Sequence, residues 1–193
     1  MIEQTMDRVI ARPILGGIGV TELSVDDITL RSQLETHHLD SYGWAVSCCR
    51  HCREEAENVL QIVYLKVLGG RAVFDGRSSF KTWLFSVIRN TAAGERRTEW
   101  FHRLRLRELF TREVDHGPSG EDLVSSNEVQ EKLRRVLLKL PTRQREVLQL
   151  VFYHDLSLQE AAKVMGVGIG SARTHYERGK RQMRNYLEAG GKP

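Results

Sequence analysis

No stretch of this 193-residue chain approaches the roughly 20 consecutive apolar residues that a membrane-crossing helix needs. The N-terminus has Glu3 and Asp7 and no apolar run, which is not the pattern of a secretory signal, so neither membrane insertion nor export is expected. Cysteine is scarce, with three residues in all, crowded into "CCRHC" as Cys48, Cys49 and Cys52. An odd, clustered set is no disulfide framework, and a reducing cytoplasm is the expected setting. Alternating strand-like runs are few, which leaves helical periodicity as the dominant signal. Also missing are convergent carboxylates for a metal and a Ser or Tyr nucleophile set among arginines. The acids fall on solvent-facing helix positions or in a linker, so nuclease or recombinase chemistry is not expected. No enzymatic activity, cofactor or metal site is expected.

Positive charge is present in excess, and it is unevenly placed. The net charge of +4 conceals two basic blocks. Residues 71–110 carry nine Lys/Arg against four Asp/Glu, and residues 141–193 carry nine against five. The stretches 1–70 and 111–140 are net acidic. Two basic blocks with an acidic interval suit two contacts with one polyanion, nucleic acid being the usual one. Solvated helix faces would give the same balance.

The pattern predicts an all-α chain of two small helical domains on a flexible linker. Residues 1–35 show no periodicity and read as an irregular extension. From 36 to 112 runs a first domain, in which Ala56, Val59, Leu60, Val63 and Val67 mark the buried face of a helix that lies within 41–68 and stops at Gly69 and Gly70. Further helix follows the turn "FDGRSS". Residues 113–127, "EVDHGPSGEDLVSSN", combine Gly, Pro, Ser and acids without an apolar period and read as a linker. Helices then recur through 128–189, and Pro141 sits where a helix can begin without losing a hydrogen bond.

The sharpest local pattern is "LSLQEAAKVMGVGIGSARTHYERGKRQM". Leu158, Ala161, Ala162 and Met165 mark one face of a short helix, and the glycines of 166–168 supply a tight turn. In the next helix Ala172, Tyr176, Gly179 and Met183 form a narrow packing stripe. Thr174, Glu177, Arg178 and Arg181 face away from it, with Arg173 and Arg184 at its flank. Behind a tight turn, such a helix suits recognition in a helix-turn-helix. Arg173 or Arg178 could take guanine in bidentate fashion and Glu177 could accept from cytosine N4. Lys180, Arg181 and Arg184 suit phosphates. A plain helical hairpin with a solvated basic face is the alternative.

The surrounding residues carry a resemblance. "LKLPTRQREVLQL", "LSLQEAAKVMGV" and "GSARTHYERGKRQM" resemble, without a gap, the promoter-recognition domain (region 4) of bacterial RNA polymerase sigma factors. Response-regulator effectors share this helix-turn-helix, but "EEAENVLQIVYLKVL" and "SFKTWLFSVIRN" resemble sigma region 2 in its short extracytoplasmic-function (ECF) form. The resemblance implies a transcription initiation factor that reads the minus-thirty-five element through Ser171, Arg173, Thr174, His175, Glu177, Arg178 and Arg181. It further implies that Lys81, Trp83, Arg89, Asn90, Thr91, Arg96 and Arg97 meet the melted minus-ten element, where aromatic faces beside cations suit unpaired bases. For Phe80, Trp83 and Val87 the competing reading is a buried stripe.

The implied partners are promoter DNA, an anti-sigma factor, and core polymerase, contacted at the coiled coil of its largest subunit and the flap of its second. Glu57, Asn58, Gln61, Ile62 and Leu65 would meet the coiled coil. Here the chain departs from the family, which usually has Asp at position 58 and Glu at position 62. The implied course of the acidic linker is toward the polymerase active centre, although a solvated tether has the same composition. "CCRHC", with His37 and His38 upstream, leaves a metal or redox sensor as a separate reading, against which stands ordinary core packing of small cysteines.

Overall fold

The computed structural model describes residues 25–109 and 128–189. Within them lie eight helices and no strand: α1 (Val25–Thr36), α2 (His38–Cys48), α3 (Arg53–Leu68), α4 (Phe80–Leu109), α5 (Glu128–Lys139), α6 (Thr142–Phe152), α7 (Leu158–Met165) and α8 (Ile169–Ala189). The expected linker, 113–127, lies outside the described residues.

One sequence expectation needs correction. Residues 25–35 are helical rather than irregular: α1 is short of apolar residues, but Leu30 and Leu34, one turn apart, face the core. The helix expected within 41–68 is α3, and α2 precedes it as a separate helix because the backbone turns at Arg50 and His51, both at positive φ (55° and 67°). α3 then starts at Arg53 with Glu54 and Glu55 in its first turn, where carboxylates complement the helix dipole.

The N-terminal core forms where α2, α3 and α4 meet. Trp44, Ala56, Val63, Leu84, Phe85 and Ile88 are fully buried there, and Trp44 Nε1 donates to the Phe85 carbonyl at 3.0 Å. The five positions picked out as the inner face of α3 are all buried. A second, smaller cluster of Leu137, Leu140 and Leu148 joins α5, α6 and α8.

The two halves are not separate bodies. Val147, Leu150, Leu156, Ala161, Val164 and Met165 from α6, α7 and the turn between them continue the same core as Trp44 and Phe85. The apolar stripes of α4 and α7 thus bury one another.

Candidate nucleic-acid interface

The helix-turn-helix is built by strong local signals. Ser157 caps α7: its hydroxyl accepts from Glu160 N at 3.3 Å, and Glu160 Oε2 accepts from Ser157 N at 2.9 Å. This reciprocal box satisfies two amides that the first turn leaves unpaired. The Ser157 hydroxyl donating to Glu160 Oε2 at 2.7 Å, and then the Ser157 amide, hold the Glu160 carboxyl below its ordinary range. α7 ends at Gly166, whose φ of 64° is left-handed, and Val167 N closes the turn on the Ala162 carbonyl at 3.0 Å.

α8 is then fixed along one narrow stripe. Ala172 is fully buried. A Cβ at Gly179 would lie 3.1 Å from Leu148 Cδ1 and 3.3 Å from the Gln144 carbonyl oxygen, so any larger residue would have to push α6 or Leu148 aside. Tyr176 and Met183 are half-buried on the same side. Opposite them Ser171, Arg173, Thr174, Glu177, Arg178 and Arg181 are all exposed, and His175 is half-exposed. Thr174 donates back to the Gly170 carbonyl at 2.9 Å, while Glu177 is engaged by Lys180 at 3.7 Å. The structure therefore brings the seven residues expected to read duplex DNA onto one accessible side of one helix.

The α4 set is treated differently. Asn90 and Arg97 are exposed. Lys81 pairs with Asp40 at 2.7 Å, which holds the Asp40 carboxyl below its ordinary range, and its ammonium lies 5.7 Å from the Phe85 ring centre. Trp83 is half-buried in a cluster with Phe74 and Phe80, at centroid distances of 5.4 and 5.2 Å. Thr91 is buried and accepts from Lys66 Nζ at 3.2 Å. Arg96 donates to the Cys48 carbonyl. Arg89 is gripped by Glu146 of α6, its Nε and Nη2 each 3.2 Å from a different carboxylate oxygen. This set is dispersed: some members face solvent, some hold the N-terminal core, and one holds the C-terminal half.

On α3, Glu57, Asn58 and Leu65 are exposed and Gln61 and Ile62 half-exposed. Leu65, 54% exposed, is the large aliphatic among them left most open to solvent. The five residues expected to meet polymerase thus form one accessible stripe.

Two residues at the junction of the halves went unread in the sequence. Glu146, taken with the other acids as solvent-facing, has only 12% of its side chain exposed. It also accepts from Arg143 at 3.5 Å. His154 is buried, edge-on to Phe85 at 4.9 Å and to Trp44 at 5.8 Å. Burial drives its pKa down to about 4. The one signal available was its place between Tyr153 and Asp155 in a helix-ending turn, where Asp155 takes a φ of 54°.

The cysteine cluster holds no metal constellation. Cys48 and Cys49 are buried, burial raises the Cys48 thiol pKa, and none of the three cysteines is in a disulfide. Among the described residues no three His, Cys, Asp or Glu side chains are placed to share a metal, and no helix is long and apolar enough to cross a membrane.

Comparison with known proteins gives two family matches. Residues 34–102 match "Sigma-70 region 2" and residues 130–183 match "Sigma-70, region 4". The chain is 30% identical over 164 residues to the ECF RNA polymerase sigma factor SigX of Bacillus subtilis (strain 168), covering 83% of this chain and 84% of SigX. Among solved structures, the sigma factor RpoE of Bartonella quintana, crystallised with the anti-sigma factor NepR, superposes with a TM-score of 0.65. The identity there is 22%, over 83% of this chain and 97% of that one. CnrH, solved with the cytosolic domain of CnrY, gives 0.57 at 20% identity, over 83% and 88%.

Proposed function

The chain belongs to the ECF sigma factors of bacterial RNA polymerase, and from that premise we propose that it carries the core enzyme to promoters through three separate faces. It is a transcription initiation factor with no enzymatic chemistry of its own. Its setting is the cytoplasm, where polymerase and promoter are. Its polymerase- and minus-ten-binding domain takes in α1 and runs to 112, followed by a tether at 113–127 and a minus-thirty-five-binding domain at 128–189.

The exposed side of α8 enters the major groove of the minus-thirty-five element. Arg173, Glu177 and Arg178 read base edges there, and Arg181 holds phosphate. The exposed stripe of α3, from Glu57 to Leu65, docks on the coiled coil of the largest subunit, while the C-terminal domain meets the flap of the second. With Asn58 and Ile62 where the family usually has acids, docking here leans on apolar burial more than on charge. α4 takes the opened minus-ten strand around Asn90, with Arg89, Arg96 and Arg97 toward its backbone. Opening needs no covalent step: binding the single strand more tightly than the duplex shifts the melting equilibrium by the difference in affinity. An anti-sigma factor restrains the free protein.

The observation that carries this reading is α8 itself, with Ala172 buried, Gly179 set close against α6, six polar residues exposed on the other side and His175 half-exposed. Run-off transcription with purified core polymerase on a panel of promoters tests it. Transcripts starting at a defined subset of promoters are expected only when the chain is added. Core enzyme that stays inactive, or transcripts independent of promoter sequence, would refute it.

A further inference from the structure

Cys49, Arg50, His51 and Cys52 join α2 to α3, and this joint breaks two local rules. α2 ends with His51 N donating to the Val46 carbonyl at 2.9 Å, around Arg50 at a φ of 55°. Glycine is the usual occupant of that left-handed position, having no Cβ to clash. Here an arginine takes it, and a histidine at a φ of 67° follows. α3 then begins with Cys52 as its N-cap, whose side chain makes no capping hydrogen bond. Serine, threonine or aspartate would supply one. Residues that cost stability at both ends of one turn are a mark of functional sites.

What the turn does is set two thiol-bearing residues together. Cys52 N donates to the Cys49 carbonyl at 3.0 Å, and both central residues have positive φ, as in a type I′ turn. Such a turn holds its first and fourth Cα atoms within about 7 Å, and a disulfide spans Cα atoms about 4.4–6.8 Å apart. The backbone is thus already folded to the span of a bridge. Cys48 is no substitute partner for Cys49, because adjacent Cα atoms stand about 3.8 Å apart, too close for an unstrained bridge. Access divides the three further. Cys48 and Cys49 are buried, Cys52 is half-exposed, and none is in a disulfide. Burial raises the Cys48 thiol pKa, which keeps that thiol protonated and inert. A small solute therefore meets Cys52 first.

We propose that Cys49 and Cys52 are a redox-active dithiol whose substrate is a small peroxide, with Cys52 the attacking sulfur and Cys49 the resolving one. The Cys52 sulfur takes one peroxide oxygen as the O–O bond breaks; the other oxygen leaves as water and Cys52 becomes a sulfenic acid. The Cys49 sulfur then attacks the Cys52 sulfur across the turn, the S–O bond breaks, and a second water leaves with the Cys49 proton. The two sulfurs together lose two electrons, and the peroxide gains them. A small thiol reverses the bridge by exchange, as a reducing cytoplasm requires of a transient disulfide. The site goes beyond promoter binding and does not depend on it. It makes the first turn of α3, the helix proposed above to meet polymerase, responsive to oxidant.

The full-length chain, first reduced and then titrated with hydrogen peroxide, tests this as wild type, Cys52→Ser and Cys48→Ala. Intact mass, tryptic mapping without reductant and thermal unfolding are read on each. Serine at 52 can cap α3, so that variant is expected to fold. Trypsin cuts after Arg50, which turns a Cys49–Cys52 bridge into two peptides joined by sulfur. Wild type and Cys48→Ala should each lose two hydrogens, yield that joined pair, and melt a few degrees above their reduced forms, all reversed by dithiothreitol. Cys52→Ser should form no bridge and keep its melting temperature. Oxidation of Cys52 that runs on to sulfinic acid, a bridge between chains, a bridge that takes Cys48, or a bridged form that melts lower would overturn the proposal. No polymerase or DNA enters these readouts, so they are separate from the sigma-factor reading.

Discussion

α8 and α4 are both basic, both proposed to meet the same DNA, and presented in opposite ways. On α8 the packing stripe and the reading face are cleanly separated, because small residues, Ala172 and Gly179, do the packing. On α4 the side chains proposed to meet DNA are already engaged within the chain: Lys81 pairs with Asp40, Thr91 sits under Lys66, and Arg89 holds Glu146. A face that reads duplex DNA can be left open in the free protein. A face that holds unpaired strand is rich in aromatics and cations, and such a face finds partners inside its own chain unless something keeps them away.

The comparison is broken most severely at Gly179. With 3.1 Å to Leu148 Cδ1 and 3.3 Å to backbone oxygen, Gly179→Leu should overpack the α6–α8 contact and cost about 3 kcal/mol. Thermal unfolding would register this as a clear fall in the melting temperature, together with loss of minus-thirty-five discrimination. Arg178→Ala leaves packing alone and should cost about 2 kcal/mol at a single base position. A competition series over all single-base changes measures it, and uniform weakening would make Arg178 a phosphate contact instead. Leu65→Ala should weaken binding to core polymerase by about 1–2 kcal/mol while leaving DNA binding by the isolated chain unchanged.

The smallest expected effect is the pH response of the contact between the two halves. His154 has its pKa depressed to about 4 in that contact, from an ordinary 6.5, chiefly by burial; Lys81 adds to the depression and Asp40 and Asp155 oppose it. The contact requires the neutral ring. It is therefore at full strength above pH 6.5 and weakens as pH falls from there toward 4. Between pH 7.5 and 5.5 the loss should be about 1 kcal/mol, seen as a rising radius of gyration that His154→Ala abolishes.

Much of this was legible in the sequence. The α8 stripe and the inner face of α3 follow from spacing alone, because each face is buried within one half of the chain, where periodicity reports burial directly. The turn at 166–168 was marked by glycine. The closure of one half on the other was not legible. A carboxylate on a helix reads as solvated whether it faces water or an arginine some 57 positions away, so Glu146 passed as one more surface acid and Arg89 as one more DNA contact. His154 carried no period at all. The N-terminal helix α1 was missed because two core leucines in twelve residues make too weak a pattern. At 49–52 the apolar run continues through a turn made by Arg50 and His51 rather than by glycine.

Two grips on one promoter, made by the chain docked on polymerase, can be examined directly by footprinting with thymine-oxidation mapping of a cognate promoter. The isolated chain and the chain bound to core polymerase are compared, each as wild type and as Arg178→Ala. The expected result is a pair of protected patches with polymerase: the upstream one lost in Arg178→Ala, and the downstream one containing oxidisable, unpaired thymines that the isolated chain never produces. A single duplex footprint made equally well without polymerase, or unpaired bases generated by the free chain, would contradict it.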